Sequence, residues 1–169
     1  MIVAEAARQA LEDIGVDPDR MELQWASAAE GPRFVELITN CVNSIKEKGP
    51  LGSASNEAGS DVKRRLEAAV KAASDRKVRT SFGTLAKKFH KEGDYSPEAI
   101  KEAVAAKVTP AFRKERIAQE IKMLLEKGPM TITKLAKAVG ATKAELEKIV
   151  APLIKKGVLK EEKKGLALA

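Results

Sequence analysis

Apolar residues recur along most of this chain at helical spacing, and where that spacing breaks the chain changes character. Val3, Ala6, Ala7, Ala10, Leu11 and Ile14 fall on one face of a helix, and Gly15 stands where a left-handed C-terminal cap belongs. Asp17-Pro18-Asp19 is turn chemistry. Met21-Glu22-Leu23-Gln24-Trp25 alternates apolar and polar, which predicts a short half-buried strand. Ser27 followed three residues later by Glu30 predicts a capping box. The next helix carries the stripe Phe34, Leu37, Ile38, Cys41, Val42 and Ile45 and stops at Gly49-Pro50. Helix, strand, helix is half of an α/β unit, and its one strand requires a partner for its backbone groups. That partner is expected to be a second copy, a sheet of another protein, or a further strand of this chain.

Residues 51–60 are rich in Gly and Ser and read as a flexible linker. Beyond it the pattern is helical. Thr109-Pro110 predicts a helix start, with Ile117, Ile121, Leu124 and Leu125 inward and an end near Gly128-Pro129. A short piece at Met130-Thr131-Ile132 leads to a helix with Leu135, Ala136 and Val139, closed by Gly140. Thr142 and Glu145 predict a second capping box, before a helix that presents Leu146, Ile149, Val150, Leu153 and Ile154 and ends at Gly157. Val158-Leu159-Lys160, a charged turn from Glu161 to Gly165, and Leu166-Ala167-Leu168 complete a β-hairpin pattern. That order resembles a winged helix. Residues 61–108 echo the layout, with Leu66, Val70 and Ala73 on one helix face and Val78–Ser81 in the place of the short extended piece. Ser96-Pro97 then opens a helix bearing Ile100 and Val104. The echo fits either a tandem pair of winged-helix-like units or convergent helical patterning.

Charge divides the chain. Residues 1–50 hold five Lys/Arg against nine Asp/Glu, a net of −4, whereas residues 51–169 hold 26 against 15, a net of +11. Such asymmetry predicts segments with different partners. The 169 residues suffice for one or two modest cores, and 44% hydrophobic with 33% charged residues reads as globular. No apolar run reaches a membrane span, no signal peptide is visible, and a single cysteine fits a reducing compartment, so the expected location is the cytoplasm, with no membrane partner.

At residues 8–50 the sequence resembles a known family. The run Leu11-Glu12-Asp13-Ile14-Gly15-Val16-Asp17-Pro18-Asp19-Arg20-Met21, then Leu23-Gln24-Trp25-Ala26-Ser27-Ala28-Ala29-Glu30-Gly31 and Arg33-Phe34-Val35-Glu36, is similar to the closing segment of the delta subunit of methyl-viologen-reducing hydrogenases. Members of that iron–sulfur family pass electrons to heterodisulfide-reductase-like flavoproteins, and related modules occur in quinone-modifying complexes of sulfate reducers. The resemblance implies association with such a complex in anaerobic energy metabolism, or descent from one of its subunits. The family's cluster-binding cysteines lie upstream of the segment, and Cys41 matches none of them. One thiolate cannot hold an iron–sulfur cluster, which takes about four such ligands.

The residues that could carry chemistry favour plain readings. His90, the only histidine, falls on the solvent side of a lysine-rich helix, and Cys41 falls on an apolar stripe, where free cysteine behaves as a small hydrophobe. Glycine-rich phosphate loops, His-x-x-x-His and Cys-x-x-Cys are absent. No catalytic, cofactor-binding or metal residue is therefore expected, and no cofactor. The helix that would read DNA runs Lys143-Ala144-Glu145-Leu146-Glu147-Lys148, with two glutamates and no Arg, Asn or Gln to address base edges. Basic residues cluster elsewhere, at Lys63-Arg64-Arg65, Arg76-Lys77 and Lys163-Lys164 among others.

These observations predict an α+β chain: an α-β-α segment at 1–50, a linker at 51–60, a helical winged-helix-like unit at 61–108 and a winged-helix domain at 109–169. The function that the resemblance implies is that of a non-catalytic accessory or adaptor protein of a heterodisulfide-reductase-like or quinone-modifying electron-transfer complex, binding flavin and iron–sulfur subunits through Trp25, Phe34, Lys143, Lys148, Lys163 and Lys164. A homodimer through residues 21–25 is a further expectation. The alternative is a winged-helix regulator of nucleic acid, for which phosphate contacts predict weak, sequence-independent, salt-sensitive binding.

Overall fold

The structure, a computed structural model, describes residues 1–53, 61–162 and 165–169. Most of the expected linker therefore lies outside the described residues, as do Lys163 and Lys164. Among those described are eight α-helices: α1 (Ile2–Ile14), α2 (Gly31–Lys48), α3 (Val62–Ala73), α4 (Arg76–Glu92), α5 (Pro97–Lys107), α6 (Thr109–Leu125), α7 (Ile132–Val139) and α8 (Lys143–Lys155). A 3-10 helix at Pro18–Arg20 follows α1, and β1 (Leu159–Glu162) pairs antiparallel with β2 (Gly165–Leu168). The chain divides into two compact units. One comprises Met1–Lys63 and Leu85–Thr109, the other Arg64–Thr84 and Pro110–Ala169.

In the first unit α1 packs against α5. Its buried residues are Ile14 and Val16 at the end of α1, Leu85 and Phe89, and Ile100, Val104 and Val108. Gln9 ties the helices by polar contacts, donating to the carbonyl of Lys101 at 3.1 Å and accepting from the Thr109 hydroxyl at 2.6 Å. Gly15 ends α1 in the left-handed conformation at φ 76, as its position predicts, so Val16 can turn inward.

Residues 21–25 depart from expectation. They do not form a strand, and α2 follows without any β-pairing before it. The chain leaves Met21 in an extended conformation, and Gln24 reaches the carboxylate of Glu22 two residues away at 2.7 Å, as same-side neighbours of an extended chain can. Alternation alone fixes which side each residue takes, and a strand also needs a ladder partner. Leu23 and Trp25 accordingly stand in solvent, at 48% and 69% exposure.

The second unit holds the larger core: Ile117, Ile121, Leu124 and Leu125 of α6, Leu135, Ala136 and Val139 of α7, Leu146, Ile149 and Val150 of α8, and Leu159 and Leu166 of the hairpin. These are the inward positions that the helical spacing predicts. Thr142 caps α8 by accepting from the backbone N–H of Glu145 at 3.2 Å, and Thr131 caps α7 by accepting from Lys134 at 3.4 Å. A further short β contact joins Met130 to Leu166 through two backbone bonds of 3.0 and 2.9 Å. Glu161, Glu162 and Gly165, expected in the charged turn, are instead paired in the strands.

The residues preceding this core also depart from the tandem layout. Val78–Ser81 lie inside α4 rather than in an extended piece. In α3 the buried residues are Ala68 and Ala72, while Val70 is 68% exposed. The small alanines allow close helix approach, so the inward face is set by fit and not by the most apolar side chain.

Candidate protein-interaction surface

Residues 14–50 build a polar frame around an exposed apolar face. Asp17 caps the 3-10 helix by accepting from the Asp19 N–H at 2.9 Å, and its carboxylate also receives Lys48 from the last turn of α2. The Lys48 hydrogen bond, followed by that of the Asp19 backbone, holds the Asp17 carboxyl below the usual carboxylate range. Arg20 donates to the carbonyls of Gly49 at 2.9 Å and of Lys48 and Pro50 at 3.3 Å each, so one guanidinium gathers the carbonyls at and just beyond the C-terminus of α2. Arg8 of α1 completes the frame with a 3.0 Å ion pair to Asp19. The three charged residues of Asp17-Pro18-Asp19-Arg20 thus anchor the turn to α1 and to the end of α2.

At the other end of α2 the expected capping pair forms in altered form. Glu30 accepts from the Ser27 backbone N–H at 2.8 Å, but the helix starts at Gly31, with Glu30 itself in the cap position and no side-chain cap bond. The Ser27–Glu30 pair closes a turn ahead of the helix, and Arg33 adds an exposed contact to Glu30 at 3.5 Å.

The face so presented is the apolar stripe itself. No residue of α2 is buried. Phe34, Val35, Ile38 and Val42 are 56, 63, 49 and 43% exposed, and Leu37 and Cys41 are half-buried. Between α2 and the extended segment runs a cleft of about 350 Å³, lined by Leu23, Ala26, Phe34, Leu37, Ile38 and Cys41 with Glu22 and Gln24 at its edge. Single exposed apolar residues are ordinary on a protein, but here three of the six stripe residues, Phe34, Ile38 and Val42, lie open to solvent on one helix face. Trp25 and Phe34 are both exposed on this segment, although a half-buried strand and a helical stripe would turn them inward, and Cys41 sits in the cleft wall and not in a closed core.

The lysines expected to bind partners are less concentrated. Lys143 and Lys148 are exposed on α8, and Lys143 makes a loose ion pair with Glu147 at 3.8 Å. Glu145 at the start of α8 is held by Arg113 through contacts of 2.8 and 3.3 Å, which lower its pKa. Arg113 also reaches the Gly140 carbonyl at 3.3 Å. His90 is exposed, in agreement with its expected position.

One charged cluster was not legible as such. The basic run Lys63-Arg64-Arg65 turns two arginines towards Glu120, a fully buried residue of α6. Arg64 donates to its carboxylate at 2.9 Å, Arg116 at 2.6 Å, and Arg65 lies 3.9 Å away. Arg64 also donates to the Ala138 carbonyl at 3.0 Å. The available signal was the i, i+4 placement of Arg116 and Glu120 directly beside Ile117 and Ile121 of the inward stripe. No group of three or more His, Cys, Asp or Glu side chains among the described residues is placed to hold a metal ion, and no described helix is long and apolar enough to cross a membrane.

Comparison with known proteins gives this surface its context. Residues 2–49 match the family described as methyl-viologen-reducing hydrogenase, delta subunit. One subunit of the ferredoxin:CoB-CoM heterodisulfide reductase of Methanosarcina mazei is 43% identical over 49 residues, 29% of this chain and 6% of that protein. The iron–sulfur subunit of the vhu hydrogenase of Methanopyrus kandleri is 38% identical over 47 residues, 28% of this chain and 36% of that protein. No solved structure matches the chain. The matched part of this chain thus spans about a third or less of the relatives' own length, and it coincides with α1, the Asp17–Arg20 turn, the extended segment and α2.

Proposed function

We propose that the chain is a non-catalytic accessory protein of a heterodisulfide-reductase-like or hydrogenase electron-transfer complex, and that it binds a component of that complex through the apolar face of α2 with Trp25. The observation that carries this reading is the coincidence of two facts. The segment shared with hydrogenase and heterodisulfide reductase subunits is the segment whose helical stripe is left open to solvent. A stretch that occurs both inside a heterodisulfide reductase and inside a hydrogenase is suited to joining two such proteins, and this chain carries it next to a second, longer part that those relatives do not match.

The role assigned is binding and not electron carriage, since one cysteine supplies too few thiolates for a cluster. Residues 109–169 are read as a winged helix serving protein contact, with exposed Lys143 and Lys148 of α8 contributing to it, and Lys163 and Lys164 assigned the same role from sequence. Location in the cytoplasm belongs to the same proposal.

The test is reconstitution with the purified heterodisulfide reductase and hydrogenase iron–sulfur proteins of the same organism. Complex formation on size exclusion, weakened at least about tenfold by Trp25→Ala with Phe34→Ala, is the expected result, since buried aromatic anchors dominate interface energy. Both side chains are more than half exposed in the free chain, so their removal leaves folding intact. Failure of both proteins to bind, or binding indifferent to the double substitution, rejects the proposal.

A further inference from the structure

A second surface, independent of α2, lies between α8 and the hairpin. Ile132, Val150, Ala151, Ile154 and Leu166 form the floor of an open groove of about 410 Å³, and among the described residues every charged side chain that lines it is a carboxylate: Glu147 on α8, and Glu161 and Glu162 on β1. Residues 147, 150, 151 and 154 follow one helix face over two turns, about 10 Å of rise. The groove is therefore long enough to seat one or two apolar side chains of a partner helix at i and i+4. Small residues keep it open, since Ala151 sits mid-face on α8 and Gly165 begins β2. At Gly165 a Cβ would collide with the Met130 carbonyl oxygen.

In a winged-helix arrangement this is the side from which a nucleic acid would be read, and the carboxylates argue against that occupant. Phosphate would meet three glutamates across an apolar floor, and neither base edges nor sugars match Val150 or Ile154. Two of the glutamates have exposed lysine partners, Lys143 to Glu147 at 3.8 Å and Lys160 to Glu162 at 3.3 Å. Exposed pairs of this kind are weak and exchange readily for an incoming cation.

We infer that this groove binds a basic amphipathic segment of a partner protein, with apolar anchors on the Val150–Ile154–Leu166 floor and lysine or arginine side chains against Glu147, Glu161 and Glu162. Charge complementarity sets the specificity: acidic rim outside, apolar floor within. The same rim repels the nucleic acid that the surrounding lysines would otherwise attract, so the unit selects protein over DNA.

The experiment is a titration of the full chain, followed by backbone amide resonances, with a peptide about five turns long, of leucine and lysine only, whose leucines recur at i, i+3, i+4 and i+7. Saturable shifts concentrated at Ile132, Ala151, Ile154 and Leu166 are expected. Glu147→Lys with Glu161→Lys should weaken binding at least about tenfold, and Ala151→Trp, which fills the groove from an exposed helix position, should abolish it. Unchanged resonances of Ile117 and Leu135 in these variants verify that the core is kept. Four outcomes overturn the inference: saturation at residues outside the groove, equal binding of a peptide with glutamate in place of lysine, saturable shifts of the α8 amides by duplex DNA at physiological salt, or concentration-dependent broadening at the groove without peptide, which identifies a second copy as occupant.

Discussion

Arg116 and Glu120, one turn apart on α6, form an ion pair at 2.6 Å in which both side chains are withdrawn from solvent, at 1% and 0% exposure. A buried carboxylate is tolerated only with its acceptor sites filled, and Arg64 fills a further one from α3. Glu120→Leu leaves cationic side chains clustered without their counter-charge and is expected to destabilise the second unit by about 3–5 kcal/mol. Arg116→Met combined with Glu120→Leu should cost less than Glu120→Leu alone, because the fully buried cation goes with its partner. Urea denaturation of the single and double variants measures both, and a double variant at least as unstable as the single one contradicts this account.

The frame around α2 makes a pH prediction. The Asp17 carboxyl is held low by Lys48 and the Asp19 N–H, so its folded pKa lies below its unfolded one. The stabilisation it provides is then complete above the ordinary carboxylate range, near about pH 4, and is lost as pH falls through the lowered folded value. Asp17→Asn removes that contribution. Its urea midpoint should fall below the parent's at neutral pH, and the gap should close as both are acidified. A gap that stays constant well below the ordinary carboxylate range would show that Asp17 acts through packing alone.

Glycine substitutions separate backbone strain from close approach. Gly93 has φ +74 with nothing near its would-be Cβ, so Gly93→Ala should cost only about 1–2 kcal/mol of left-handed strain. Gly165 has φ +130, and a Cβ there would run into the Met130 carbonyl oxygen, with the carbonyl carbon and the Thr131 nitrogen at 2.6 and 2.8 Å. Gly165→Ala should therefore cost more, and it should also remove hydrogen-exchange protection at the Met130 and Leu166 amides, whose mutual bonds it forces apart. Equal melting temperatures for the two variants would argue against the contact.

How far the sequence reaches can be judged from individual positions. Ile117, Ile121, Leu135 and Leu146 are legible because they repeat on faces that the fold buries, and Gly15, Gly140 and Thr142 because caps act locally. The α+β content is legible for the same reason: mostly helix, with a two-stranded sheet at the end of the chain. Met21–Trp25 carries the alternation of a strand without being one, because alternation says nothing of a partner. The α2 stripe is legible as a stripe, but periodicity cannot tell a core from a docking face, and here the face is open. Arg64 and Glu120 look like ordinary solvated charges in the sequence because their pairing spans 56 residues, a distance at which no spacing rule operates.

The exposed tryptophan turns the proposed function into an optical measurement. Trp25 is the only tryptophan of the chain and is 69% exposed, so the free protein should emit close to free tryptophan and be quenched readily by acrylamide. Docking of α2 on a partner removes the indole from water, which should shift the emission to shorter wavelength and reduce quenching several-fold. Phe34→Ala should weaken the complex and so displace the titration to higher partner concentration, while the emission of the free chain stays as it was. If a complex with the heterodisulfide reductase or hydrogenase protein forms and the emission of Trp25 is unmoved, the partner sits elsewhere on the chain, and α2 must be removed from the interface.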